Sequence, residues 1–63
     1  MERFEYKGRV VDVFTAIKNG QWTWAFTVDE GLAEVNKASG FESAPSAADA
    51  AKEKARRRID EQS

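Results

Sequence analysis

The chain has 63 residues, ten Lys and Arg against eleven Asp and Glu, a formal net charge of −1, and neither cysteine nor histidine. This length predicts one domain with a small core, and the missing residue types exclude disulfides and argue against a structural zinc site. The balanced charge argues against a protein whose whole surface binds nucleic acid or membrane, and no apolar run approaches the ~20 residues that span a bilayer.

The N-terminal residues, Met1 to Glu5, contain no apolar stretch of the kind that forms a signal peptide. Cysteine is also absent, which fits a reducing compartment. We therefore expect a cytoplasmic protein.

The first predicted element is a long β segment over residues 3–18, rich in β-branched and aromatic residues. Gly8 interrupts it, and a lone glycine in a strand pattern indicates a bulge or a bend. A bulge would shift the alternation by one residue and place Phe4 and Tyr6 on the same face as Val11 and Val13. We favour the bulge because it puts both aromatic side chains in the core.

Asn19-Gly20 follows, and Asn-Gly between alternating runs predicts a type I′ hairpin turn, in which both residues have positive φ. The second strand covers residues 21–28, where aromatic and small residues alternate. A two-residue turn sets the cross-strand neighbours on the core face, which we predict to be Ile17 with Trp22, Thr15 with Trp24, Val13 with Phe26, and Val11 with Val28.

A second turn is predicted at Asp29-Glu30-Gly31. A weaker strand follows at about Leu32–Lys37, and its charged residues are typical of a sheet edge. Val35 is its best candidate for the core, and Ser39-Gly40 ends the element.

Residues 43–60 have the spacing of an amphipathic helix. Ser43 or Ser46 can cap it, since Pro45 is tolerated in a first turn and Ser46 with Asp49 resembles a capping box. The apolar stripe consists of Ala47, Ala48, Ala51, Ala55 and Ile59. We expect the last residues, Asp60 to Ser63, to fray.

These elements predict a single α+β domain over residues 1–63: a three-stranded antiparallel β-meander with one C-terminal helix packed on one face. The predicted core consists of Phe4, Tyr6, Val11, Val13, Ile17, Trp22, Trp24, Phe26, Val28, Val35, Phe41, Ala47, Ala51, Ala55 and Ile59.

The pattern resembles a group of small uncharacterised bacterial β-β-β-α proteins, which implies a fold and no activity. The residues that carry the resemblance are Phe4-x-Tyr6-Lys7-Gly8, Val11-x-Val13, Trp22-x-Trp24-x-Phe26, Gly40-Phe41-x-Ser43, and the helix with Ala47, Ala51, Ala55 and Ile59-Asp60.

Two other families share part of this pattern. The second half is similar to the C-terminal part of a double-stranded-RNA-binding domain, which implies lysines at the helix N-terminus that contact phosphates; here residues 44–49 contain an acid and no lysine. The β-β-β-α order and the spacing of Ser43, Ala47 and Ala51 are also similar to the HicB antitoxin core, which implies a toxin-binding module. That family's DNA-binding segment has no counterpart within residues 1–63.

Catalysis is not expected. The commonest general base and the best nucleophile, His and Cys, are absent. The acid pairs Asp29-Glu30 and Asp60-Glu61 lie in a turn and at the chain end. Neither position offers the burial that shifts a carboxylate pKa. The four glycines are spread along the chain and form no phosphate-binding loop. We predict no enzyme activity, no cofactor and no metal site.

One helix covers one sheet face, so the second face is expected to be open. It would carry Phe14 opposite Ala25, with Val10 and Ala16 nearby and Asp12 as its charge. We predict that Val10, Phe14, Ala16 and Ala25 bind a protein partner or a second copy of the chain.

The alternative is a nucleic-acid-associated protein that uses the basic part of the helix. Its cations are Lys52, Lys54, Arg56, Arg57 and Arg58. Such a run is more often a solvated face whose charges complement the helix dipole, and adjacent arginines cannot share one face of a helix.

Overall fold

The computed structural model describes residues 2–36 and 40–62. In this part of the chain, four strands pair in chain order into one antiparallel sheet, and a single helix follows them. Their bounds are β1 Glu2–Tyr6, β2 Arg9–Lys18, β3 Gln21–Val28, β4 Glu34–Val35 and α1 Ala44–Gln62. The predicted α+β architecture with a C-terminal helix is confirmed, but the sheet has four strands and not three.

The extra strand arises because Gly8 is part of a turn, so the predicted bulge and the single β segment over residues 3–18 are wrong. Lys7 has φ 52° and Gly8 has φ 77°, and Tyr6 pairs with Arg9 across them. Two successive positive φ values are typical of a type I′ hairpin turn. The predicted face is nevertheless right, because Phe4 lies opposite Val11 and points to the core side with it.

The Asn19-Gly20 turn is confirmed, with φ 52° and φ 77° at its two residues. All the predicted cross-strand neighbours are also confirmed: Ile17 with Trp22, Thr15 with Trp24, Val13 with Phe26, and Val11 with Val28. The turn length thus sets the register of the two longest strands, as the Asn-Gly pair predicts.

The fourth strand is shorter than the predicted edge strand around Leu32–Lys37, and Lys37 and Ser39 lie outside the described residues. Val35 pairs with Ala25, which turns it away from the helix. It is 51% exposed, so its predicted place in the core is wrong. Pairing with β3 resumes at Phe41, whose backbone exchanges two hydrogen bonds with Trp22.

Gly40 is required where the chain comes back to β3. A Cβ atom added there would lie 2.4 Å from the Cβ of Gln21, closer than two carbon atoms approach without a shift of the backbone. The close approach accompanies the pairing of Phe41 with Trp22.

The helix is capped by Ser43 and not by Ser46. The Ser43 hydroxyl accepts a hydrogen bond from the backbone N–H of Ser46 at 3.3 Å, and Pro45 lies in the first turn. The predicted capping box of Ser46 and Asp49 is therefore wrong. The predicted fraying is also wrong for residues 60–62, since the helix continues to Gln62.

The core lies between this helix and one face of the sheet. Its buried residues, all predicted, are Val11, Val13, Trp24, Phe26, Ala47, Ala51, Ala55 and Ile59. The helix contributes mostly methyl groups, which lets it lie close to the stacked rings of Trp24 and Phe26, 5.7 Å apart. Five predicted residues pack against this core while partly exposed: Phe4, Tyr6, Trp22, Val28 and Phe41.

Ile17 is on the predicted face but is 60% exposed, so its predicted burial is wrong. The reason is coverage. Ile17 pairs with Trp22 next to the Asn19-Gly20 turn. At this end of the sheet, Phe41 forms a β-bridge with Trp22, and the helix begins only at Ala44, so the helix does not cover Ile17.

Candidate interaction surface

The sheet face opposite the helix, which we call the open face, carries a row of apolar side chains across three strands. Phe14 of β2 pairs with Ala25 of β3, and Ala25 pairs with Val35 of β4. Phe14 is 40% exposed and Val35 is 51% exposed, whereas the small side chain of Ala25 lies between them. A small residue between two large ones makes the surface concave at this point.

The concavity is a groove of about 270 Å³. Phe14 and Val35 form part of its walls, together with Ala16, Thr23 and Ala25 from the two central strands and Asn36 at the edge. Lys18 also lines the groove and is charged, whereas the other lining side chains are apolar or uncharged, so the groove is suited mainly to an apolar side chain.

Asp12 lies on the same face, and its carboxylate is paired. Its side chain is 8% exposed and accepts hydrogen bonds from Arg3, at 2.6 Å from Nε and 3.3 Å from Nη2. The hydrogen bond to Asp12, followed by its negative charge, raises the pKa of Arg3. A forked pair of this kind neutralises the carboxylate beside the apolar row.

The structure brings the four predicted binding residues together on the open face. Phe14 and Ala16 are exposed, and Val10 and Ala25 are half-buried. Sequence reasoning missed Val35 and Arg3, which complete this surface. Arg3 could have been found by treating Lys7-Gly8 as a hairpin turn, because that turn places Arg3 opposite Asp12.

The basic residues of the helix are not brought together into one free patch. Lys52 pairs with Glu2, Arg58 pairs with Glu34 at 2.6 Å, and Arg57 lies 3.7 Å from Glu53. The guanidinium of Arg56 lies 6.0 Å from the centre of the Phe4 ring. Two of these ion pairs, Lys52–Glu2 and Arg58–Glu34, join the helix to opposite edges of the sheet.

One aspartate of each acid pair, Asp29 and Asp60, is bound by cationic and hydrogen-bond donors that lower its pKa. Asp29 accepts a hydrogen bond from the backbone N–H of Val10 at 3.0 Å and one from Arg9 at 2.6 Å. Both hydrogen bonds lower the pKa of Asp29, and the bond from Val10 has the larger effect. Asp60 is bound by Lys7 at 2.6 Å, which lowers its pKa most, and by the Tyr6 hydroxyl at 3.2 Å. A general acid needs the opposite shift, so these contacts stabilise turns and the helix end.

Within residues 2–36 and 40–62, no group of three or more Asp and Glu side chains is arranged to hold a metal ion. Over the same residues, no helix combines the length and the apolar character needed to cross a bilayer.

The chain matches no family model, and comparison with curated proteins and with solved structures finds no match. The resemblances to the small bacterial β-β-β-α proteins, to the double-stranded-RNA-binding domain and to the HicB core therefore stay predictions.

Proposed function

We propose that this chain is a small, non-enzymatic cytoplasmic protein-interaction module that binds its partner through the open face. The observation that carries the proposal is the uncovered row of Phe14, Ala25 and Val35. The helix covers one face of the sheet, so this row stays in contact with water until a partner covers it.

The energy available from covering this row is substantial for so small a domain. A phenylalanine side chain has roughly 200 Å² of surface, so the exposed 40% of Phe14 corresponds to about 80 Å². At about 25 cal/mol per Å², its burial alone contributes about 2 kcal/mol. Val35 adds to this on the other side of Ala25.

The charges of the helix favour this function over nucleic-acid binding. Counterion release by free Lys and Arg drives binding to phosphates, and here Lys52, Arg57 and Arg58 already have carboxylate partners within the chain. Binding to RNA or DNA that weakens with salt and is lost on replacement of Arg56, Arg57 and Arg58 would favour the alternative.

The absence of cysteine allows a site-specific test. A single cysteine at Ala16 lies on the open face, and a matched cysteine at Glu61 lies on the exposed end of the helix. Each purified variant is labelled at its cysteine with a short photoreactive crosslinker and is then introduced into cells that express the chain. We expect an adduct of defined mass from the Ala16→Cys variant, abolished when Phe14→Asp is added, and no such adduct from Glu61→Cys.

Equal crosslinking from both positions, or an Ala16→Cys adduct that survives Phe14→Asp, would contradict the proposal. Circular dichroism of the purified variants checks that Phe14→Asp leaves the fold intact, which its partly exposed position predicts.

A further inference from the structure

We infer that the partner on the open face is a second copy of this chain, with each Phe14 ring seated in the groove beside Ala25 of the other copy. This inference rests on the proposed function and names its partner. It follows from the fact that the groove and the side chain that fits it lie next to each other on one face.

The groove and the ring match in size and chemistry. The groove measures about 270 Å³, and an apolar cavity of about 150 Å³ is already enough to hold a benzene molecule. Its walls include Ala16, Ala25 and Val35, and it is bordered by Phe14 itself. A two-fold interface needs such self-complementarity, because each contact is made twice.

The register defines the symmetry that achieves this contact. A two-fold axis parallel to the strands and between β2 and β3 exchanges these strands when two open faces meet. Each β2 residue then faces the β3 residue with which it pairs in its own sheet. Phe14 faces Ala25 of the second copy, and Ala16 faces Thr23 of the second copy.

The charges of the open face are compatible with the same axis. Asp12 faces Thr27 of the second copy, and Lys18 faces Gln21 of the second copy, so these positions set no like charges against each other. Asp12 keeps its own partner, Arg3, within the same copy. Like charges in direct opposition would have excluded the arrangement.

The size of the face predicts a weak dimer. Four strands span about 19 Å and a ten-residue strand about 33 Å, which gives at most roughly 600 Å² per copy. Stable interfaces bury about 800 Å² per partner. We therefore expect reversible association that depends on protein concentration.

The test uses two variants that spoil the contact in opposite ways. Phe14→Ala removes the ring and leaves the groove, whereas Ala25→Phe keeps the ring and fills the groove. Each variant alone should raise the dimer dissociation constant by about tenfold or more. An equimolar mixture should form a heterodimer, because Phe14 of the Ala25→Phe chain can enter the open groove of the Phe14→Ala chain.

Sedimentation velocity gives the dissociation constants, and native mass spectrometry identifies the heterodimer by its mass. Two weakened single variants with a restored mixture would support the inference. Two weakened variants with a mixture that stays monomeric would overturn the seating of Phe14 beside Ala25. Variants that dimerise as tightly as the wild type would place the dimer interface elsewhere and overturn the inference, and the Ala16→Cys adduct would then decide the proposed function.

A wild-type chain that is monomeric from micromolar to millimolar concentration would overturn the inference alone. The proposed function would then be decided by the adduct from Ala16→Cys, whose mass would show a different protein partner.

Discussion

At several single residues, the backbone of this chain adopts φ values that the residue type disfavours. Among residues 2–36 and 40–62, four residues other than glycine have positive φ: Lys7, Asn19, Asp29 and Glu30. Asparagine and aspartate tolerate this region, and Asp29 is also tied to the backbone of Val10. Glu30 has φ 60° and an exposed side chain, so it is held in a conformation that glutamate disfavours.

We expect Glu30→Asn to stabilise the fold by about 0.5–1 kcal/mol, because asparagine adopts the left-handed conformation at lower cost. Urea unfolding measures the change as a shift of the midpoint with an unchanged slope. Glu30→Gln is the matched control, since it removes the same charge and keeps the unfavourable backbone preference. An equal effect of both substitutions would attribute the change to charge and not to conformation.

Residue type also explains what the sequence could and could not predict about the turns. Asn19-Gly20 has a residue suited to each turn position, and its register was predicted pair by pair. Lys7-Gly8 adopts the same φ values with a lysine at the first position, where residue preference gives no signal. The missed turn hid the β1–β2 pairing, and with it the contact of Arg3 with Asp12.

Among the elements, the helix depends on ionic contacts at its C-terminal end as well as on its alanine stripe. Asp60 accepts hydrogen bonds from Lys7 and Tyr6, which belong to the β1–β2 hairpin. The hydrogen bond from Lys7 lowers the pKa of Asp60 below its usual range, and the hydrogen bond from Tyr6 adds a smaller effect. The last turn of the helix is therefore anchored to the β1–β2 hairpin turn.

This contact makes the stability depend on pH. A carboxyl whose pKa is lower in the folded state stabilises the fold fully above its unfolded pKa of about 3.9 and loses that contribution as the pH falls through the folded value. Asp60→Asn should therefore lower the urea midpoint at about pH 7 and lower it less at about pH 2.5. The exposure of the contact predicts a small effect.

Glu61→Gln is the control for this measurement, because it removes the neighbouring charge outside the contact with Lys7. A loss of stability from Asp60→Asn that is the same at both pH values would contradict an ionic origin.

The alternation of side chains predicts which face a strand residue occupies, but not how far a helix extends over that face. Ile17 is on the correct face and is still mostly exposed, because the helix begins beyond the hairpin tip. Val35 is on the other face because the turn after Val28 sets its pairing with Ala25. A strand of two residues, one of them charged, is too short for the alternation of side chains to predict its register.

At the scale of the whole molecule, a dimer predicts that stability rises with protein concentration. Association stabilises the folded chain by mass action, by about 2.7 kcal/mol when the partner is present at about a hundred times the dissociation constant. The urea midpoint of the wild-type chain should therefore increase with concentration. Phe14→Asp should remove this dependence, and a wild-type midpoint independent of concentration would contradict the dimer.

The interrupted fourth strand has a further consequence for the proposed dimer. Its two residues, Glu34 and Val35, are separated from the resumed pairing at Phe41, and the opposite edge strand, β1, carries Glu2, Arg3 and Glu5. Short and charged edges resist the addition of further strands. Growth strand by strand into a fibril is disfavoured at both edges, whereas the stacking of two faces is complete after two copies. The same sheet can therefore expose an apolar surface and still form a particle of finite size.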